Sequence, residues 1–137
     1  MQGLARSPLF LSFAFVSVVA AAAALAPAWG ADNDAMLRLA AGSGCITCHA
    51  VEPGGKGPDG LPPVGPAWKD VAAKYKGQKD APAQLTRIVL QGSSPYESHW
   101  KGKVSGLAMP PNKVAISEAD AMMLVGCILA LPPASMP

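Results

Sequence analysis

Cys45-Ile46-Thr47-Cys48-His49 decides the reading of this chain. Two cysteines separated by two residues and followed at once by a histidine form the attachment site of a c-type haem. Two thiols can add across the two vinyl groups of the ring, and a histidine directly after the second thioether is delivered to the iron on one face. Cys-x-x-Cys alone also suits a redox dithiol or half of a zinc site. A zinc site needs a second ligand pair, and His99 with Cys127 is too sparse for one. A thioredoxin-like dithiol needs a strand-rich context, and none precedes Cys45. The motif therefore points to one covalently bound haem c, with Cys45 and Cys48 as its tethers and His49 as an axial iron ligand.

Upstream of the motif, Arg6 supplies a positive start, Leu9 to Leu25 is an apolar run, and Ala26-Pro27-Ala28 is a small-residue cleavage signal. Residues 1–28 read as a signal peptide, with cleavage after Ala28 or after Gly30; the alternative is an uncleaved N-terminal anchor. Export fits the haem motif, because c-type haem is attached outside the cytoplasmic membrane, so the expected location is the periplasm, with no stable membrane insertion after cleavage. Residues 31–137 are then a single domain around one core. The chain has 11 Lys and Arg against 9 Asp and Glu. Losing Arg6 brings these close to balance, and nothing in that balance argues for nucleic-acid binding. Cys127 has no partner once Cys45 and Cys48 are used, and reads as a buried free thiol.

Downstream, the pattern is all-α, with short helices joined by long loops. Asp32-Asn33-Asp34 offers N-caps for a first helix from about Ala35 to Ala41, ended by Gly42-Ser43-Gly44. Glu52 to Pro66, with five glycines and five prolines, is a loop. Trp68 to Tyr75 has helical spacing, with Val71, Ala72 and Tyr75 on one side and Lys74, Lys76 and Lys79 on the exposed side and following turn. Another helix runs from about Ala81 to Gln91, capped by Asp80 and stopped by Gly92. After a second long loop, the last helix begins at Ser117, where Asp120 makes a near-miss capping box, and Pro132-Pro133 ends it. Ala119, Met122, Met123, Gly126, Cys127 and Ala130 recur at i, i+3, i+4 spacing and predict its buried stripe. Loops this long are unusual in a small domain. The large apolar surface of a haem gives them something to pack against.

A low-spin electron carrier needs a second strong iron ligand opposite His49. The candidates are Met36, Met109, Met122, Met123, Met136 and His99. Met122 and Met123 look like core, Met36 lies in the first helix, and Met136 lies in the tail. Met109 sits in Gly106-Leu107-Ala108-Met109-Pro110-Pro111, a loop stiffened by two prolines, and is the expected ligand, with His99 the runner-up. A Met/His pair raises the reduction potential relative to two histidines. With both axial positions filled there is no open site for dioxygen or peroxide, which favours electron transfer over catalysis.

Three segments, Gly44-Cys45-Ile46-Thr47-Cys48-His49-Ala50, Val64-Gly65-Pro66-Ala67-Trp68-Lys69-Asp70-Val71-Ala72 and Ala108-Met109-Pro110-Pro111-Asn112, resemble the small bacterial class I cytochromes c and stand in that family's order. The resemblance covers nearly all of the chain after the leader. It implies the cytochrome c fold, in which the N- and C-terminal helices cross, wrapped around one haem with Met/His ligation. It also implies that Pro66 lines the proximal side, where its neighbourhood supplies a carbonyl for the free nitrogen of His49. Arg87 and Trp100 fall at positions near the haem propionates. Three departures stand out. Segments Glu52–Pro63 and Ser93–Leu107 are longer than in the smallest members, and Ala40 and Cys127 occupy the crossing positions where aromatic residues are usual.

The expected function is a one-electron shuttle between periplasmic redox enzymes, a monomer with protein donor and acceptor. The alternative is a dedicated cytochrome subunit of a periplasmic dehydrogenase, for example one oxidising sulfite or another small anion, held in a heterodimer. Haem catalysis or gas sensing ranks last, since no distal base or signalling domain is present. Lys56, Lys101 and Lys103 lie in the two long loops and could form a basic rim for an acidic partner.

Overall fold

The computed structural model describes residues 29–132 and residue 134. The expected signal peptide, residues 1–28, lies outside the described residues, as does Met136. Among the described residues four helices follow in order: α1 Trp29–Gly42, α2 Trp68–Tyr75, α3 Ala81–Gln91 and α4 Glu118–Leu129. Short 3-10 turns occur at Cys45–Thr47 and Pro58–Gly60. Among the described residues the only β-type pairing is an isolated bridge between Lys101 and Val104. No described helix is long and apolar enough to cross a membrane.

Helix α4 is the axis of the packing, and α1, α2 and α3 all lie against it. Its buried residues are Ala121, Leu124, Val125 and Ile128, which join Met36 and Ala40 of α1, Trp68 and Ala72 of α2, and Val89 of α3 in one cluster. Ala40, expected at the helix crossing, is 0% exposed. A side chain this small leaves the α1 backbone free to approach its neighbours closely. Cys127 is half-buried at the edge of the cluster and forms no disulfide.

The buried stripe of α4 is not the predicted one. Met122 and Met123 are 60% and 51% exposed, and Ala119, Gly126 and Ala130 are exposed as well. The helix, EADAMMLVGCIL, is apolar on nearly every side, so two sets of residues share the helical period. Period alone cannot choose between them; shape does. Leu124, Val125 and Ile128 are branched and fill the space between three helices, whereas the flexible methionines tolerate the surface.

The helix ends show how local sequence acts. Ser117 is the N-cap of α4, its Oγ accepting from the Asp120 N–H at 3.1 Å and donating to Asp120 Oδ2 at 2.7 Å. Asp120 is one methylene shorter than the usual glutamate, and its carboxylate meets the capping hydroxyl. Helix α1 starts earlier than expected, so Asp32, Asn33 and Asp34 lie inside it and not ahead of it. Acidic residues near a helix N-terminus interact favourably with its dipole. Asp80 precedes α3 with no side-chain cap bond, and Gly92 ends that helix at φ 83°.

Two long loops complete the fold, and they meet. Ser105 N–H donates to the Pro63 carbonyl at 2.9 Å and Gly106 N–H to the Val64 carbonyl at 3.0 Å. A Cβ at Gly106 would stand 2.5 Å from the Val64 oxygen, so only glycine allows this approach. The first loop is also tied to α2 by the Lys69–Glu52 ion pair. Glu52 is largely exposed there, so the pair adds little stability.

Candidate functional site

Gly44, at φ 74°, turns the chain out of α1 and into the 3-10 turn that carries Cys45. Within that turn the Cys48 and His49 N–H groups both donate to the Cys45 carbonyl, at 3.2 and 3.1 Å. The two thiols and the imidazole are therefore held by one short coil of backbone. Cys45 is half-buried and Cys48 exposed. Burial raises the pKa of the Cys45 thiol, a hydrogen bond to backbone lowers it, and the charge of Cys48 nearby raises it further.

The next loop folds back over this coil. Gly65 N–H donates to the Cys48 carbonyl at 2.8 Å, and Trp68 N–H to the Ala50 carbonyl at 2.9 Å. This brings the Pro66 carbonyl to 2.7 Å from His49 Nδ1. A carbonyl can only accept, so Nδ1 carries the proton and Nε2 keeps its lone pair. Burial pushes the imidazole pKa below its ordinary value, with the bond to Pro66 opposing. The result is a neutral ring, oriented by its second nitrogen, as a metal-ligating histidine requires. Trp68 stacks beside it, with ring centroids 6.2 Å apart and planes 21° from parallel.

Gly65 is part of this cradle. A Cβ there would stand 2.6 Å from His49 Cε1 and within 3.0 Å of both ring nitrogens. Gly65→Ala should displace the imidazole and destabilise the folded protein by about 1–3 kcal/mol, the usual cost of overpacking. Gly126→Ala, where a Cβ would meet nothing within 4 Å, should be neutral or slightly stabilising. Denaturant unfolding of the two variants checks the contrast.

Met109 is held from the other end of the site. Its N–H donates to Ser93 Oγ at 2.9 Å, and its carbonyl accepts from the Ser93 N–H at 2.9 Å. Asn112 N–H reaches back to the Val89 carbonyl at 3.1 Å, and Asn112 Nδ2 donates to the Pro110 carbonyl at 2.7 Å. A Cβ at Gly92 would stand 2.8 Å from the Met109 oxygen. The methionine loop is thus stapled to the C-terminus of α3 through backbone, and its two prolines stiffen it.

One cavity of about 640 Å³ is lined by Cys45, Cys48, His49, Pro66, Arg87, Trp100 and Met109, together with apolar residues of α2, α3 and α4. Its volume is in the range of a cofactor site. Every residue expected at the site faces this cavity. His99, the runner-up ligand, lines it too but is exposed on its loop. Of the remaining methionines, Met36 belongs to the core and Met122 and Met123 to the surface. Among the described residues, no three His, Cys, Asp or Glu side chains are grouped as a metal site, so the zinc alternative finds no ligand set. A haem fits instead. Two thiols for its vinyl groups, a neutral imidazole with a free Nε2, a thioether sulfur and a cation for its propionates line one mostly apolar space.

Nothing in the sequence marks Ser93 or Gly65 as part of the site, and Gly92 reads there only as the stop of α3. Gly65 lies in a segment quoted for another reason, and a serine after a helix C-terminus carries no signal that it will hold a methionine sixteen residues on. Lys74, expected only as an exposed lysine, lies with its Nζ 5.8 Å from the Trp100 ring centroid.

No family model matches the chain. It is 34% identical to cytochrome c-551 of Pseudomonas aeruginosa over 111 residues, covering 80% of this chain and 89% of that one. With cytochrome c-552 of Nitrosomonas europaea the identity is 41%, over 81% of this chain and 90% of the other. The solved structure of the Nitrosomonas europaea cytochrome c552 superposes with a TM-score of 0.52 at 40% identity, covering 69% of this chain and 96% of that chain. A class 1 cytochrome from Sideroxydans lithotrophicus superposes at 0.51 and 30% identity, over 72% and 95% of the two chains.

Proposed function

The chain belongs to the small class I c-type cytochromes, and on that premise we propose that it is a periplasmic one-electron shuttle whose haem is tethered by Cys45 and Cys48 and ligated by His49 and Met109. As a member of that family it carries one covalently bound haem c and transfers electrons between redox partners. The haem supplies the ferric/ferrous couple, and the protein supplies the ligands and the apolar walls that set the potential. What carries the residue assignments is the convergence of both thiols, the Pro66-oriented imidazole and the Ser93-held methionine on one cavity. Pro66 fixes the tautomer of His49, and Arg87 and Trp100 stand where propionates would be met.

Residues 1–28 act in this reading as the export signal, removed after Ala28 or Gly30. The relatives are named cytochrome c-551, c-552 and c2, and none of these names is that of a dehydrogenase subunit, which supports a freely diffusing shuttle over a permanent heterodimer. Size exclusion of the exported holoprotein tests this: a shuttle elutes as a monomer with the mass of residues 29–137 or 31–137 plus haem, whereas a dedicated subunit copurifies in fixed ratio with a larger protein.

Steering by the long-loop lysines is the accompanying expectation. Lys56, Lys101 and Lys103 are all exposed. Reversing Lys101 and Lys103 to glutamate should slow electron exchange with an anionic iron complex at low salt. The difference should shrink as the screening length falls to about 8 Å near 0.15 M salt. Equal stopped-flow rates at low salt would mean that these lysines do not guide the encounter.

A further inference from the structure

The two long loops meet at a place that lies between the two axial ligands along the chain. Pro63 and Val64 come just before Pro66, whose carbonyl orients His49. Ser105 and Gly106 come just before Met109. The Ser105 N–H donates to the Pro63 carbonyl at 2.9 Å, and the Gly106 N–H to the Val64 carbonyl at 3.0 Å. The Ser105 hydroxyl adds a longer bond, 3.4 Å, to the same Pro63 oxygen. Val64, Pro66, Gly106 and Met109 all line the large cavity. This clasp therefore joins the loop that orients the histidine to the loop that carries the methionine.

Ser93 holds Met109 at a single residue, through its N–H and its carbonyl. One such point is a hinge about which the loop can still turn. A second fixed point nearby removes that rotation. Leu107 is 81% exposed and Ala108 is exposed, and neither backbone forms a hydrogen bond with another described residue. The clasp is thus the first fixed point before Met109. Three residue steps lead from Gly106 to Met109, so their Cα atoms can stand at most about 11 Å apart.

We propose that the Val64–Gly106 clasp positions Met109, bracing the methionine strap against the loop that orients His49, so that opening the clasp releases the thioether. Gly106 is then a positioning residue. A Cβ there would stand 2.5 Å from the Val64 oxygen, and that oxygen belongs to backbone, which cannot swing aside as a side-chain end can. The inference rests on the reading of Met109 as the second axial ligand and adds what keeps it in place. It also gives the two lengthened loops one shared use.

The test titrates the ferric holoprotein with imidazole while the far-red band is followed. Imidazole takes the axial position only when the thioether has left, so its apparent affinity reports the population of that open state. Gly106→Ala should bind imidazole about tenfold more tightly than wild type, the scale of one or two lost backbone hydrogen bonds. Ile116→Val is the control for general loosening. Ile116 is buried in the core and does not line the cavity, so this variant should unfold more easily yet bind imidazole as wild type does. A second pair reads the strap without touching the clasp. Leu107→Gly and Leu107→Ala remove the same exposed side chain, and only glycine adds slack. The glycine variant should bind imidazole about two- to fivefold more tightly than the alanine variant, and this pair decides the matter if Gly106→Ala does not assemble. Equal affinities in the pair, or a Gly106→Ala affinity no higher than that of Ile116→Val, overturn the proposal. A wild-type protein without the far-red band sinks the Met109 reading itself; a band present with unmoved affinities sinks only the clasp.

Discussion

Met109→Ala is expected to abolish the weak far-red sulfur-to-iron charge-transfer band of the oxidised protein and to lower the reduction potential. Axial-ligand identity spans about 0.8 V among haem proteins, and thioether sulfur favours ferrous iron, so loss of the sulfur should cost roughly 0.1–0.3 V of that range. The variant should still fold. The Met109 backbone is held through its own N–H and carbonyl by Ser93, and the following turn is held by Asn112, so the side chain can be removed without releasing the loop. His99→Ala is the control. His99 lines the same cavity, yet its exposed loop lacks the backbone staple that fixes Met109, and its replacement should leave the band in place. A band that survives Met109→Ala and disappears in His99→Ala would transfer the ligand role to the histidine. Ser93→Ala gives a graded check. It removes one hydrogen bond, worth about 1 kcal/mol, so the band should persist at room temperature but be lost at a lower temperature than in the wild type.

The second large effect concerns attachment. Wild-type protein should keep its haem through denaturation and acid acetone extraction and give a pyridine haemochrome of the two-thioether type. Replacing Cys45 or Cys48 by alanine leaves one tether, so holoprotein yield should fall severalfold and the haemochrome band should shift toward the one-thioether position. Replacing both should leave a haem that extracts completely. The two thiols are not equivalent. Cys45 is half-buried, and burial raises its pKa, while Cys48 is exposed. An exposed thiol is the easier one to reach, so any single-tether product formed without assistance should be joined through Cys48. A wild-type haem that extracts would overturn the covalent assignment.

Much of this molecule follows from short stretches of sequence. Helices α2 and α3 run over the residues their spacing predicts, because each is bounded by strong local signals: the proline-rich run before Trp68, and Pro82 and Gly92 around α3. Ser117 caps α4 as expected because a capping hydroxyl needs only the backbone three residues on. The start of α1 was less legible. Aspartate and asparagine suit both an N-cap and the first turns of a helix, so Asp32, Asn33 and Asp34 did not distinguish the two.

The sequence by itself determined the chemistry of this protein. Two thiols and an imidazole at fixed short spacing, and a methionine followed by two prolines, define what can be bound whatever the rest of the chain does, because their roles depend on residue identity. Tertiary structure alone decided which face of α4 is buried, that Ser93 holds Met109, that Gly65 and Gly92 allow two close approaches, and that Lys74 lies against Trp100. These features join residues far apart in the chain, or select between two apolar faces of equal period. Both are settled by packing volume and by where backbone donors and acceptors come to rest, quantities that exist only once the chain has folded.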